Sequence, residues 1–147
     1  LPMPHSPLMH NGELYMLLSA SGELVKVNIK EKKYEVIKKL DGFCRGMDIC
    51  GDFMFIAMSK LRKNSTTFAK LPFADKAGFA GLKVVHLPTK AVVGEMSYQT
   101  SVDEIYALKI LQNTLRPNIL NTVNPLHKYS LSIPGATFWA KPDNMNK

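Results

Sequence analysis

The feature that most constrains the fold is an internal repeat. Gly12-Glu13-Leu14-Tyr15-Met16-Leu17 aligns with Gly51-Asp52-Phe53-Met54-Phe55-Ile56 at an offset of 39. Gly22-Glu23-Leu24-Val25-Lys26-Val27 aligns with the run from Gly81-Leu82-Lys83 onward at an offset of 59. The difference between the offsets places one insertion of 20 residues in the second unit, covering about Ser59 to Ala80. That insertion mixes Lys, Ser, Thr, Gly and Phe, with one helical turn expected near Phe73 to Lys76.

Within each unit the pattern is that of antiparallel strands. Short β-branched or aromatic runs are punctuated by Gly, Asn and Asp at hairpin positions, where tight turns need positive φ. Strands are expected over Leu14–Leu18, Leu24–Ile29 and Tyr34–Ile37, then Gly46–Cys50, Phe53–Met58, Leu82–Leu87 and Ala91–Met96. Val25, Val27 and Ile29 fall on one face while Lys26 and Asn28 fall on the other, which indicates a half-buried sheet. A third unit is expected from Ile105–Ile110 through Asn118–Thr122 to Tyr129–Ile133, ahead of a polar tail over 141–147.

Repeats of about 40 residues with about four short strands each predict an all-β, β-propeller-type fold of four-stranded antiparallel blades. The alternative is a β-sandwich, which also uses short strands at regular spacing. The repeats occupy residues 1–140 as one partial propeller domain of about two and a half to three blades, against the roughly 4 to 8 of a closed ring. Residue 1 is Leu rather than Met. Both observations lead to the expectation that a missing propeller half, or a homo-oligomer partner, completes the ring.

Composition then excludes several classes. The chain has 19 Lys and Arg against 12 Asp and Glu, a net charge of +7. Only Arg45, Arg62 and Arg116 are arginines, and the lysines are scattered through turns and polar strand faces rather than gathered with exposed aromatics, so no nucleic-acid partner is expected. Lys30 to Lys33 and Lys38 to Lys39 flank a short strand and read as a solvated edge that discourages strand addition. No apolar run approaches the roughly 20 residues of a membrane span, so no membrane partner is expected. Cys44 and Cys50 would lie about 20 Å apart on one extended strand, which rules out a disulfide between them there. With no Cys-x-x-Cys or Cys/His ligand spacing, the expectations are a reduced, cytoplasmic protein without metal or cofactor. Asn64-Ser65-Thr66 fits the glycosylation triplet without a secretion signal to give it meaning.

Several segments together carry a family resemblance. Leu1-Pro2-Met3-Pro4-His5-Ser6-Pro7, then His10-Asn11-Gly12-Glu13-Leu14-Tyr15, Gly42-Phe43-Cys44-Arg45-Gly46-Met47, Leu61 to Pro72 and Val102-Asp103-Glu104-Ile105-Tyr106 resemble an uncharacterised bacterial β-propeller-like family. Its members often occur near or fused to tetratricopeptide repeats. The resemblance covers about Pro2 to Ile133 and implies that the chain is the C-terminal half of a propeller-type unit. Leu8 stands where the family usually has arginine, and Ala107 where it usually has aspartate. The family carries no established activity to transfer.

The alignment also gathers candidate site residues. Ser6 aligns with Arg45 at the 39 offset, and Arg45 with Tyr106 when Met47-Asp48-Ile49 is matched to Leu108-Lys109-Ile110. His5, Ser6, Arg45, Asp103, Glu104 and Tyr106 are therefore expected at one mouth of a central channel, the usual geometry of a ligand pocket. Arg45 can fork a carboxylate or phosphate, or else pair with Glu104 or Asp103 between neighbouring units. His5 is either a general base or ligand, or a turn histidine held between Pro4 and Pro7. Ser6 is a poor nucleophile partner for it, because adjacent strand residues point to opposite faces. The expected function is a binding module for a protein or an anionic small ligand; the alternative is a propeller hydrolase or lactonase using His5 and Glu104 as acid and base. His10, His86, His127, the eight methionines and the Phe138-Trp139 pair read as sheet or packing residues.

Overall fold

A computed structural model of the chain describes residues 2–61, 78–100, 102–115, 123 and 128–139. It is all-β, and among the described residues there is no α-helix. Strands β1 (Pro4–His10), β2 (Glu13–Leu18), β3 (Glu23–Asn28) and β4 (Lys33–Lys39) form one four-stranded antiparallel meander. Strands β5 (Phe43–Cys50), β6 (Phe53–Ser59), β7 (Gly81–His86) and β8 (Ala91–Ser97) form a second one. Both meanders lie in a compact unit spanning Leu1–Ile110. A second unit, Leu111–Lys147, contains the hairpin β9 (Ser130–Ile133) and β10 (Ala136–Trp139). The expected helical turn at 73–76, the expected strand at 118–122, His127 and the tail lie outside the described residues.

Strand β1 was not foreseen, because its two prolines mask the pattern. It is an edge strand, where a residue lacking an N–H costs no ladder hydrogen bond, and Pro4 and Pro7 both lie on its exposed side.

The repeat is real, and its register differs from the alignment by one residue. Pro4 pairs with Leu18 and Cys44 with Met58; His10 pairs with Glu13 and Cys50 with Phe53. Each second pair lies 40 residues after the first, not 39. The later strands agree: Glu23 opposes Lys39 as Gly81 opposes Ser97, and Leu14 opposes Val27 as Met54 opposes Val85. That offset is 58 rather than 59, so the insertion is 18 residues long. The cause is turn chemistry. Asn11 and Gly12 both take positive φ, 49° and 78°, whereas in the equivalent turn Gly51 takes φ 55° and Asp52 does not share the sign. The first pattern is a type I′ turn, which tolerates Asn-Gly, and the second puts its glycine first as type II′ does. Matching glycine to glycine therefore slips the alignment by one, and in a strand that exchanges the two faces.

The core lies between the two sheets. Tyr15, Leu17, Leu24 and Leu40 of the first sheet and its exit meet Cys44, Met47, Met54, Ile56, Met58 and Val85 of the second. Leu17 and Leu24 are direct cross-strand partners, as are Met54 and Val85, so each sheet presents one continuous apolar row. Leu8, partly buried, packs against this core. At the rim, Lys90 reaches from the β7–β8 turn to Glu35 on β4 at 2.5 Å, and Lys26 lies 3.1 Å from Glu13. The Lys90 and Lys26 ammonium groups hold the Glu35 and Glu13 carboxyls, respectively, below the ordinary range.

Residues 102–110 were expected to contain the first strand of a third unit, Ile105–Ile110. They form no ladder. The segment instead runs along β5 as a strap held by side chains and by one backbone hydrogen bond, from the Lys60 N–H to the Asp103 carbonyl. A Cβ on Gly46 would stand 2.8 Å from the Leu108 nitrogen and 2.9 Å from Ala107, so the two backbones touch at a position only glycine permits.

Candidate functional site

Arg45 lies where β5 is irregular. The pairing of β5 with β6 shifts between Cys44 and Met47, as the pairing of β1 with β2 shifts between His5 and Leu8. A bulge re-aims the side chains beside it. Here the guanidinium carbon comes 3.7 Å above the centre of the Tyr106 ring and 5.8 Å from that of Phe43. This is a cation–π stack at close range. Arg45 Nη1 is 3.9 Å from Glu104 Oε2, a charge contact longer than a hydrogen bond. Arg45 Nε is buried and donates to no acceptor among the described residues.

These groups line a cavity of about 130 Å³, whose remaining wall is Ser59, Lys60 and Leu61. A water occupies about 30 Å³ of liquid, so the space holds roughly four. That suits one carboxylate or phosphate group and not a whole drug-sized molecule, which needs several hundred Å³.

The strap carrying Glu104 and Tyr106 is fastened at three places. The Lys60 N–H donates to the Asp103 carbonyl at 2.8 Å, and Lys60 Nζ lies 2.7 Å from the Asp103 carboxylate. Ser59 Oγ accepts from the Ile105 N–H at 2.9 Å and donates to the Ile105 carbonyl at 3.3 Å. Asp48, only 5% exposed, accepts from the Ile110 N–H at 2.8 Å and lies 2.9 Å from Lys109 Nζ. Burial alone would raise the Asp48 carboxyl. The Ile110 N–H, the Lys109 ammonium and the Ile49 N–H outweigh it, and the group titrates below its ordinary value.

His5 and Ser6 stand apart from this cavity. Ser6 Oγ donates to the Arg45 carbonyl at 2.5 Å, a link to the backbone of β5. His5 Nδ1 lies 2.8 Å from Ser19 Oγ and 3.1 Å from the Met3 carbonyl. Ser19 gives its own proton to the Cys44 carbonyl. Both neighbours of Nδ1 are thus acceptors, so the hydrogen bonds assign the proton to Nδ1 and leave the lone pair on Nε2. The structure therefore brings Arg45, Glu104 and Tyr106 together, turns Asp103 to Lys60, and does not join His5 to Glu104.

The corrected offset regroups the candidates. His5, not Ser6, is the equivalent of Arg45, and Ser6 is the equivalent of Gly46. Ser19 and Ser59, at 0% and 1% exposure, are likewise 40 apart. Ser19 directly follows β2 and Ser59 ends β6, and each bonds the first segment of the next unit, at Cys44 and at Ile105. On that basis Cys44 corresponds to Ile105 and Arg45 to Tyr106, as the alignment expected. Sequence reasoning missed Ser19, Ser59, Asp48 and Lys60. A buried serine closing both apolar runs, Leu14–Leu18 and Phe53–Met58, was the available signal.

Among the described residues, no three His, Cys, Asp or Glu side chains are arranged to hold a metal ion, and no helix is long and apolar enough to cross a membrane. Cys44 and Cys50 are both free and both on β5. The family model described as "Domain of unknown function (DUF4915)" matches residues 1–120. Comparison with curated proteins and with solved structures finds no match.

Proposed function

The chain belongs to the DUF4915 family, and from that premise we propose that it is a propeller-type binding module whose Arg45 cavity takes one anionic group of a larger protein partner. The fold part of the proposal is supported by two equivalent four-stranded meanders packed face to face through a shared core. This is how neighbouring propeller blades are built.

The observation that carries the binding part is Arg45 itself, which lines the cavity and whose buried Nε–H has no acceptor among the described residues. A buried donor left unpaired costs about 1–3 kcal/mol, and an anion that draws the guanidinium toward the cavity would recover part of it. Tyr106 holds one face of the guanidinium, so its edge remains to fork an anion. Lys60 also lines the wall, its ammonium held by the Asp103 carboxylate at 2.7 Å. Glu104 limits the affinity and favours an anion that can displace its 3.9 Å contact. Because the cavity admits only about one such group, the rest of the ligand must lie outside, which favours an acidic side chain or a chain terminus of a protein over a free small molecule.

Titration with acetate and then with an acidic peptide, followed by NMR at the Arg45 Nε–H, tests this reading. A saturable downfield shift is expected, with sodium chloride at equal ionic strength giving none. No shift at tens of millimolar acetate would leave Arg45 as a fastening for the strap and end the proposal. The hydrolase alternative gains no support from the geometry, since the His5 ring bonds Ser19 and Met3 and does not line the cavity with Glu104.

A further inference from the structure

Two of the seven residues that line the Arg45 cavity come from outside the β5–β8 sheet and its turns. Glu104 and Tyr106 come from residues 102–110, which share no ladder with β5 or β6. We infer that this segment is a docking strap whose seating assembles the anion site, and that Asp48 acts as a positioning residue for Arg45 by clasping the strap's far end. The inference rests on the Arg45 reading above and adds its regulation.

The geometry makes the coupling specific. Asp48 is not among the residues lining the cavity; its oxygens go to Ile49 N, Ile110 N and Lys109 Nζ. Ile110 lies four residues beyond Tyr106, so the clasp sets where the extended strap ends and hence where the Tyr106 ring falls over the guanidinium at 3.7 Å. At the strap's middle, Gly46 allows Ala107 and Leu108 to approach β5 within contact distance. At its start, Ser59 and Lys60 hold Ile105 and Asp103. A strap held by side chains, one backbone hydrogen bond from Lys60 to Asp103 and one close backbone approach can leave as a unit without dismantling a sheet. It is drawn from the low-stability end of the fold, as moving elements are.

Binding and seating then favour each other by the same factor. An anion that needs the Tyr106 stack stabilises the seated strap, and anything that loosens the strap weakens the anion. In a propeller-type assembly this gives the module two states of one site without any rearrangement of the β5–β8 sheet.

Two variants outside the cavity wall test the inference. Asp48→Asn weakens the clasp, and Gly46→Ala lifts the strap by a methyl group that has no room. Each is checked for folding by circular dichroism, then read by amide exchange at Ile105 and by acetate titration at the Arg45 Nε–H. The Ile105 amide is held by Ser59 and not by Asp48, so its exchange reports the strap as a whole. In both variants exchange at Ile105 is expected to accelerate fivefold or more and acetate affinity to fall fivefold or more, the lower end of ordinary coupling between sites. If Asp48→Asn frees Ile110 alone and leaves Ile105 and acetate binding at wild-type values, the strap is not a unit and the inference is overturned. If Ile105 accelerates in both variants while acetate fails to shift Arg45 even in the wild type, the anion reading alone falls.

Discussion

Replacing Ser19 with alanine removes one oxygen from the protein, and the structure says how much that should cost. The side chain is fully buried, donates to the Cys44 carbonyl and accepts from His5 Nδ1. His5 keeps its second acceptor, the Met3 carbonyl at 3.1 Å, so the main loss falls on the Cys44 carbonyl, which is left buried and without that donor. A buried polar group stripped of its partner costs about 1–3 kcal/mol, and we take about 2 kcal/mol. For a domain of this size that lowers Tm by about 6 °C. Urea unfolding followed by circular dichroism measures it, with Ser21→Ala as a control; Ser21 is only partly buried, and its loss should stay within about 0.5 kcal/mol. A Ser19→Ala protein within about 0.5 kcal/mol of wild type would refute the claim that this serine rivets one sheet to the next.

Three further outcomes follow from the same structure. Leu17, fully buried between the sheets, should cost about 2–5 kcal/mol as alanine in the same unfolding assay. With Ellman's reagent under native conditions, Cys50 should react promptly and Cys44 should not, because burial pushes the Cys44 thiol up to about 12 while Cys50 is exposed. Stability should hold from neutral pH to about 5, then decline as pH falls through the lowered native values of Asp48, Glu35 and Glu13, whose unfolded forms bind protons first, near 4. Above about pH 8.5 the sign reverses. The unfolded chain can ionise Cys44 while the folded one resists until about 12, so stability falls as pH rises between them. Unfolding curves at several pH values check both limbs.

The strand content of both units was legible because alternation and turn residues are local. Val25 and Val27 against Lys26, or the Gly51-Asp52 turn, need no tertiary context to read. The register was not legible to within one residue, since it depends on which turn type each pair of residues adopts, and glycine can hold either central position. Strand β1 was hidden for a different reason: Pro4 and Pro7 argue against a strand until its edge position is known. Arg45, Glu104 and Tyr106 were named together from the repeat, and they meet because the strap seats on β5 rather than because a third sheet packs there. The pairing of His5 with Ser19 could not be named, as it hangs on a bulge that re-aims the ring. The strap was mistaken for a strand because Ile105–Ile110 has strand composition, yet its hydrogen bonds go to the side chains of Ser59 and Asp48. Composition does not disclose which partner a backbone group finds.

The account stands or falls on the Arg45–Tyr106 stack, since the cavity, the strap and the proposed anion all depend on it. The most direct measurement is the position of the Arg45 Nε–H in the ¹H–¹⁵N spectrum of the wild type and of Tyr106→Leu. With the guanidinium carbon 3.7 Å above the ring, the wild-type resonance should be displaced upfield by the ring current and move back when Tyr106 is replaced. Identical Arg45 resonances in the two proteins would mean that the strap does not seat on β5 as described, and would contradict the account.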